Sequence, residues 1–569
     1  MELKRLTTNN SGVVLAITLL IVVVIVVIST IYVMRAVHEK TMSNKEISFV
    51  KGQYTLEAGA NGGLKQLDTL INTNLLNTVN ATDPSILATQ AASYVTNNNS
   101  IGFVVAYTKN GTIALFTSSG GEAVYTGSST SFDGGTFNYT IRVAAKGSPV
   151  TSSTNVWDFP YYYRIQTTST QGSGQRKNTL SGDFTVRVQK DNFARYALFT
   201  NSQVSPSGSN VWFTNMTNFA GPLLTNGTFN FAYNPGATFT GLVKQVASTA
   251  RFYNNNNAVL LNNDHNGTID VPTFGDGFTR SATSVTMPTT SQESTMSSEA
   301  AGGNTYASNG IYIPTSGSNL AGGVYVRGDA SVALSTQGTD TSVMTIVQGS
   351  STKTIKVNKT TNQTSITDTT GTTTTYTGVP DGMSNVGQIV YVKGNITSIS
   401  GTVQKSTQLT IASQNDIVIQ NNIQYQNYTA ASGTPGTSGY VPPSADGEQN
   451  LLGLLSWQGD VRIGSSTPNN VNIHATIMAK QGVFTVDNYD SGSTRGSATV
   501  LGGVISDNYG AFGTFNSGTG VALTGYGRNF VYDERMETEM TPPYFPTMNT
   551  FIAFTNDIND KKFWQEGGF

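Results

Sequence analysis

The sequence predicts a mainly β protein with a long N-terminal α-helix. The helix leads into a small α/β head, and a right-handed parallel β-helix follows, with β-sandwiches as the competing architecture for the second half. Three observations carry this reading. An uncharged apolar run occupies residues 13–33, and no proline occurs before Pro84. The rest of the chain is short apolar runs separated by Gly, Asn, Asp and Thr, which is how strands and turns read. Two segments, VYVRGD at 324–329 and VYVKGN at 390–395, look like internal copies.

Composition limits the options. At 569 residues the chain is long enough for two or three folded units. Only 12% of residues are charged and the formal net charge is -2, which disfavours a nucleic-acid partner. Low charge with 10% aromatic residues also argues against bulk disorder. The chain has no cysteine, so disulfides, thiolate metal sites and cysteine nucleophiles are excluded. Only His38, His265 and His474 can supply imidazole.

Residues 1–12 are short and polar and contain Lys4 and Arg5, which favour a cytoplasmic N-terminus. At 1.5 Å per residue the run over 13–33 spans roughly 30 Å, the thickness of a bilayer core. It is too long for an ordinary secretory signal and has no small-x-small cleavage site before Arg35. A single uncleaved membrane anchor is the plain reading of this segment. The helix should continue to about residue 78, because Leu64, Leu67, Ile71 and Leu75 recur at helical spacing. Gly52, Gly59, Gly62 and Gly63 predict a kink or melted turn in its middle.

Residues 79–190 read as an antiparallel β-domain. Segments 101–107 and 112–117 are expected to form a hairpin around Lys109-Asn110-Gly111. Clean alternation follows in Phe137, Tyr139, Ile141 and Val143, in Tyr161, Tyr163 and Ile165, and in Phe184, Val186 and Val188. Residues 191–540 are the β-helix region, with a hairpin insertion at about 343–368, and residues 541–569 form a C-terminal segment. Apolar pairs such as Leu409/Ile411, Ile417/Ile419 and Val471/Ile473 suit short strands that each send alternate side chains inward. Ile417, Ile419, Ile477 and Val504 are expected inside. SWQGDV at 456–461 shares the turn of the two copies.

The basic leader ending in Gly12, the apolar helix beginning at Val13 and its continuation into the head resemble type IV pilin-like proteins. LTTNNSGVVLAITLLIVVVIVV at 6–27 is most similar to minor pilins of the PilX type, and also to the tip pseudopilin of type II secretion systems. The resemblance covers about the first 75 residues. It implies cleavage by a prepilin peptidase between Gly12 and Val13 and methylation of the new Val13 amine. It implies pilin or pseudopilin subunits as partners, and location in the inner membrane and then in a pilus or at the cell surface. Major pilins carry a glutamate at the fifth mature position, a partner for a neighbouring subunit's amine; here that position is Ile17. A subunit without the carboxylate suits the filament tip, where no amine needs neutralising. GPLLTNGTFNF at 221–231, the segment 388–425, LLGLLSWQGDVRIG at 451–464 and YDERMETEMTPPYFP at 532–546 resemble the β-helical region that follows such helices in large PilX-like proteins.

The expected function is therefore a minor pilin-like subunit for assembly or adhesion, without catalysis and without a cofactor. The alternatives are a membrane-anchored surface binding protein and a β-helical carbohydrate-active enzyme, which would need carboxylates clustered on adjacent rungs. Asp264, Asn266 and Asp270, flanking His265, are weak metal candidates, and Asp487, Tyr489 and Asp490 form a similar loop. His265 and His474 read as surface or rung residues and not as catalytic bases. Arg327-Gly328-Asp329 reads as a strand-ending turn, since its copy is Lys393-Gly394-Asn395. Sequons at Asn110, Asn226, Asn395 and Asn427 leave glycosylation open. Exposed Tyr and Asn could bind surface glycans or host-cell ligands by stacking and hydrogen bonding.

Overall fold

The structure, a computed structural model, describes residues 11–569 except 154, 173, 215–216, 233–236, 255–256, 262–271, 436, 517–520, 538–539, 557, 559–562 and 567–569. The protein is mainly β with a long N-terminal helix, and it divides into two units. One comprises Met1–Gln189 with Thr550–Phe569, the other Lys190–Asn549. The last twenty residues thus belong to the first unit, and they do not form a segment of their own with residues 541–549 as the sequence suggests. The second unit is an insertion in the first.

In the first unit the helix runs unbroken over Ser11–Asp68 and continues through a wider π-helical turn at Thr69–Leu75 into Leu76–Ala81. Leu64, Leu67, Ile71 and Leu75 are buried on one face, as their spacing predicts. The helix does not melt at the glycines. A Cβ on Gly59 would overlap Thr167 and Phe137, and one on Gly63 would overlap Ile165 and crowd Tyr139. These glycines let the sheet approach the helix backbone. Packing gained there outweighs their low helix propensity, about 1 kcal/mol each.

The expected strand at 101–107 is a helix, Ser100–Tyr107. Asn99 caps it by accepting from Gly102 N at 2.8 Å. Phe103, Val104 and Tyr107 form a buried helical face, and Phe103 stacks on Phe159 at 4.0 Å. A preceding helix, Pro84–Thr96, is capped by Asp83, with Pro84 in the first turn. The turn at Gly111 does form, but it joins only Lys109–Asn110 to Ile113–Ala114. The sheet orders Thr117–Ser119, Glu122–Thr126, Gly135–Ala145, Val156–Gln171, Gly174–Asn192 and then Thr547–Asn556. Its inner face carries Ile141, Val143, Tyr161, Tyr163, Ile165, Phe184, Val186 and Val188. The returning chain completes this core: Phe551 packs 5.6 Å from Trp157, and the Tyr163 hydroxyl donates to Ile558 O at 2.9 Å.

The second unit is built on parallel ladders. One runs, by pairing, from Val324–Arg327 through Gln388–Lys393, Gln408–Ser413, Leu451–Ser456, Thr476–Ala479 and Val504–Asn508. It then continues through Leu198–Ser202, Leu223–Thr225 and Val243–Gln245 to Phe278–Thr279. A single column of buried side chains threads it: Val324, Val390, Ile411, Leu454, Ile477, Val504, Leu198, Leu223, Val243 and Phe278. The two sequence copies pair residue for residue, Val324 with Val390 through Arg327 with Lys393. In a second column Ile423, Ile473, Val500, Phe530, Phe219, Phe239 and Phe274 are in register. Ile417, Ile419, Ile477 and Val504 are all buried.

The order of the rungs does not follow the chain. The polypeptide enters the ladder at its middle, at Leu198, and runs to one end at Phe278–Thr279. It then passes through the helix Thr290–Ala301 and restarts at the other end with Val324–Arg327. It works back until Val504–Asn508 pairs in parallel with Leu198–Ser202. The insertion expected at 343–368 is larger than a hairpin. Ala330–Gln337, Thr341–Gln348, Ser351–Asn358, Gln363–Thr367 and Thr373–Thr377 form an antiparallel meander.

Candidate functional site

The N-terminal helix is the element with the clearest consequence. Its side chains from Val13 to Val33 are exposed, and among the described residues this is the one helix long and apolar enough to cross a membrane. Within the run, Thr18 Oγ1 donates back to Val14 O at 3.0 Å and Thr30 Oγ1 to Val26 O at 2.7 Å. These hydroxyls therefore need no water, which suits hydrocarbon surroundings. The first ion pair beyond the run is Arg35 with Glu39 at 3.5 Å. Gly12 has open space around the position a Cβ would take, and Ile17 is 52% exposed. Both lie on the exposed stretch of the helix.

The chemical candidates separate. Asp264, Asn266 and Asp270, with His265, lie outside the described residues. Asp487 is engaged by Arg462 at 2.9 Å, and the same guanidinium reaches Asp416 at 3.1 Å. Among the described residues no three His, Asp or Glu side chains are grouped to hold a metal ion. Asp329, Asn395, Asp416 and Asp460 instead form a ladder along the turns. Asp329 accepts from Asn395 N, Asn395 from Asp416 N, Asp416 from Asp460 N, and Asp460 from Val483 N, at 2.8–3.2 Å. The Arg-Gly-Asp triplet is part of this turn: Gly328 has φ +92, and Arg327 donates to Tyr306 O at 3.0 Å.

His474 is fully buried, on a rung. Its Nδ1 accepts from Tyr425 N at 3.0 Å. Burial, reinforced by Arg535, pushes its pKa down to about 3 from 6.5. The unfolded chain therefore binds a proton at pH values where the native state does not. The resulting stability is present above about pH 6.5 and is lost as pH falls toward 3, at about 1.4 kcal/mol per pH unit while the difference lasts. Replacing His474 by Leu should flatten the acid side of the stability profile in denaturant titrations between pH 6.5 and pH 4.

Sequence reasoning missed two groups. One is the bidentate pair of Arg535 with Asp533, side chains 7% and 3% exposed. The other is a tyrosine-lined groove beside the helix Thr290–Ala301. The YDER segment and the two VYV copies were visible, but nothing in the sequence told which side chains they would meet.

A family model described as a domain of unknown function, DUF4900, matches residues 158–247. The match begins in the long hairpin of the first unit and ends in the early rungs of the second. Neither a curated protein nor a solved structure matches the chain.

Proposed function

We propose that this chain is a minor pilin-like subunit of a type IV pilus or related filament. It would be inserted in the inner membrane by its apolar helix, cleaved at Gly12, and carried to the cell surface as a tip component in assembly or adhesion. One observation carries the reading: a helix that is apolar and exposed from Val13, then without a break buries Leu64, Leu67, Ile71 and Leu75 against an antiparallel sheet. A helix that serves first as an anchor and then as the spine of a globular head is the design of a pilin. The second unit is read as a right-handed parallel β-helix. The parallel register and the continuous buried columns support this, and right-handed crossovers are the rule for parallel strands. Its role is display rather than polymerisation, with the other pilin subunits and the prepilin peptidase as partners. Ile17 favours the tip, because an unpaired amine in an apolar core is costly and this subunit offers no carboxylate to neutralise one.

Intact-mass analysis of the protein isolated from cells tests the processing step. A chain that starts at a methylated Val13 is the expected result, and Gly12→Leu should leave the precursor uncleaved in the membrane. Surface protein that retains Met1 would refute the reading and leave a plain membrane-anchored binding protein.

A further inference from the structure

We propose that the groove between the helix Thr290–Ala301 and the adjacent edge of the parallel ladder binds an acidic oligosaccharide. The groove holds about 460 Å³, within the range of ligand sites. The two VYV copies build one wall. Because they pair in parallel register, Arg327 and Lys393 lie on neighbouring rungs and both line the groove. The next two rungs add Gln414 and Gln458, whose backbones follow in step: Gln414 N donates to Val392 O and Gln458 N to Gln414 O, each at 2.9 Å. Side chains with donor groups thus recur about every 4.8 Å, the spacing of strands in a sheet. An extended glycan laid along the ladder would meet a fresh donor at successive sugars.

The floor is aromatic. Tyr325 and Tyr391, both buried, stack at 6.0 Å, and the half-buried Tyr306 lies 5.5 Å from Tyr325 with its ring stacked on Tyr312 at 3.9 Å. These rings pack on one another, and what Tyr306 offers the groove is its partly exposed rim and phenolic hydroxyl, which suits the hydroxyls of a sugar. Charge decides the class of glycan. The carboxylate on the helix side of the groove, Glu293, is engaged by the Tyr391 hydroxyl at 3.0 Å. Glu299 is held by Met383 N, Ser384 N and the Ser384 hydroxyl. Lys393 is exposed and has no ion pair among the described residues, and Arg327 spends one N–H on the Tyr306 carbonyl. A guanidinium beside an ammonium favours carboxylates carried on the sugar chain. Of the charged side chains that line the groove, two are cations and one is a carboxylate. This site stands whether or not the chain enters a filament.

Titration calorimetry of the full-length protein in detergent, with hexagalacturonate as probe, tests the proposal. Saturable binding of one oligosaccharide per chain is expected. Lys393→Gln and Tyr306→Phe should each weaken it by about tenfold, the scale of one hydrogen bond to the ligand. The fully methyl-esterified hexamer should bind more weakly by a similar factor. Tyr306→Phe keeps the ring packed on Tyr312 and the carbonyl that Arg327 uses, and Lys393 is exposed, so unchanged melting temperatures separate loss of the site from loss of the fold. No binding of hexagalacturonate, or undiminished binding by Lys393→Gln, overturns the assignment. Hexaglutamate binding as tightly as the glycan also overturns it, since the groove would then be capturing charge alone.

Discussion

Ile419→Asp is expected to destabilise the second unit by about 3–5 kcal/mol at pH 7, the range found when a buried charge is left without a partner. Ile419 is fully buried, in register between Ile399 on one rung and Ile463 on another. An aspartate there meets only aliphatic neighbours in its column, so its folded-state pKa would rise well above the unfolded value of about 3.9. The sign of the pH dependence follows. Well below pH 4 both states hold the proton, and the cost is that of a neutral polar group in an apolar rung. As pH rises the unfolded chain ionises and the native state resists, so the deficit should grow toward neutrality. Guanidinium midpoints at pH 4 and pH 7 check this. Ile419→Asn should show a smaller deficit that does not change with pH. A variant as stable as wild type at both pH values would mean that the rung is open to water.

Arg535→Met should cost a comparable amount for the opposite reason, since it leaves a native charge unpaired. Asp533 receives both arms of the guanidinium, at 2.8 and 2.6 Å. Arg535 also donates to Glu448 O at 2.8 Å and lies over the Tyr425 ring at 5.2 Å. Removing it strands a carboxylate whose side chain is 3% exposed, about 3–5 kcal/mol for a buried pair. The double variant Asp533→Leu/Arg535→Met removes both charges and should recover much of that loss. A thermal or denaturant cycle over the four proteins measures the coupling. If the double variant is as unstable as Arg535→Met alone, the lost bond to Glu448 O and the lost contact with Tyr425 dominate.

What the sequence determined by itself lies at short range. The run over 13–33 needs no partner to be apolar, and the spacing of Leu64, Leu67, Ile71 and Leu75 sets one helix face wherever it packs. Alternation set the inner faces of Gly135–Ala145, Val156–Gln171 and Gly174–Asn192 for the same reason, since successive side chains of a strand point to opposite sides. The VYV copies announced rungs that stack, and they pair in register. Short apolar runs were ambiguous: 101–107 contains both periods, and the Asn99 cap with burial of Phe103, Val104 and Tyr107 decided for helix. Gly59 and Gly63 read as helix breakers because propensity is local, whereas their use is contact with Thr167 and Ile165, about a hundred residues away. Only the tertiary structure could bring residues 550–569 back to the first unit, pair Val504 with Leu198 in the middle of the ladder, and set Arg327, Lys393 and three tyrosines around one groove. Each of these joins residues far apart in the chain, and their energy comes from burial and registry, which a one-dimensional pattern does not encode.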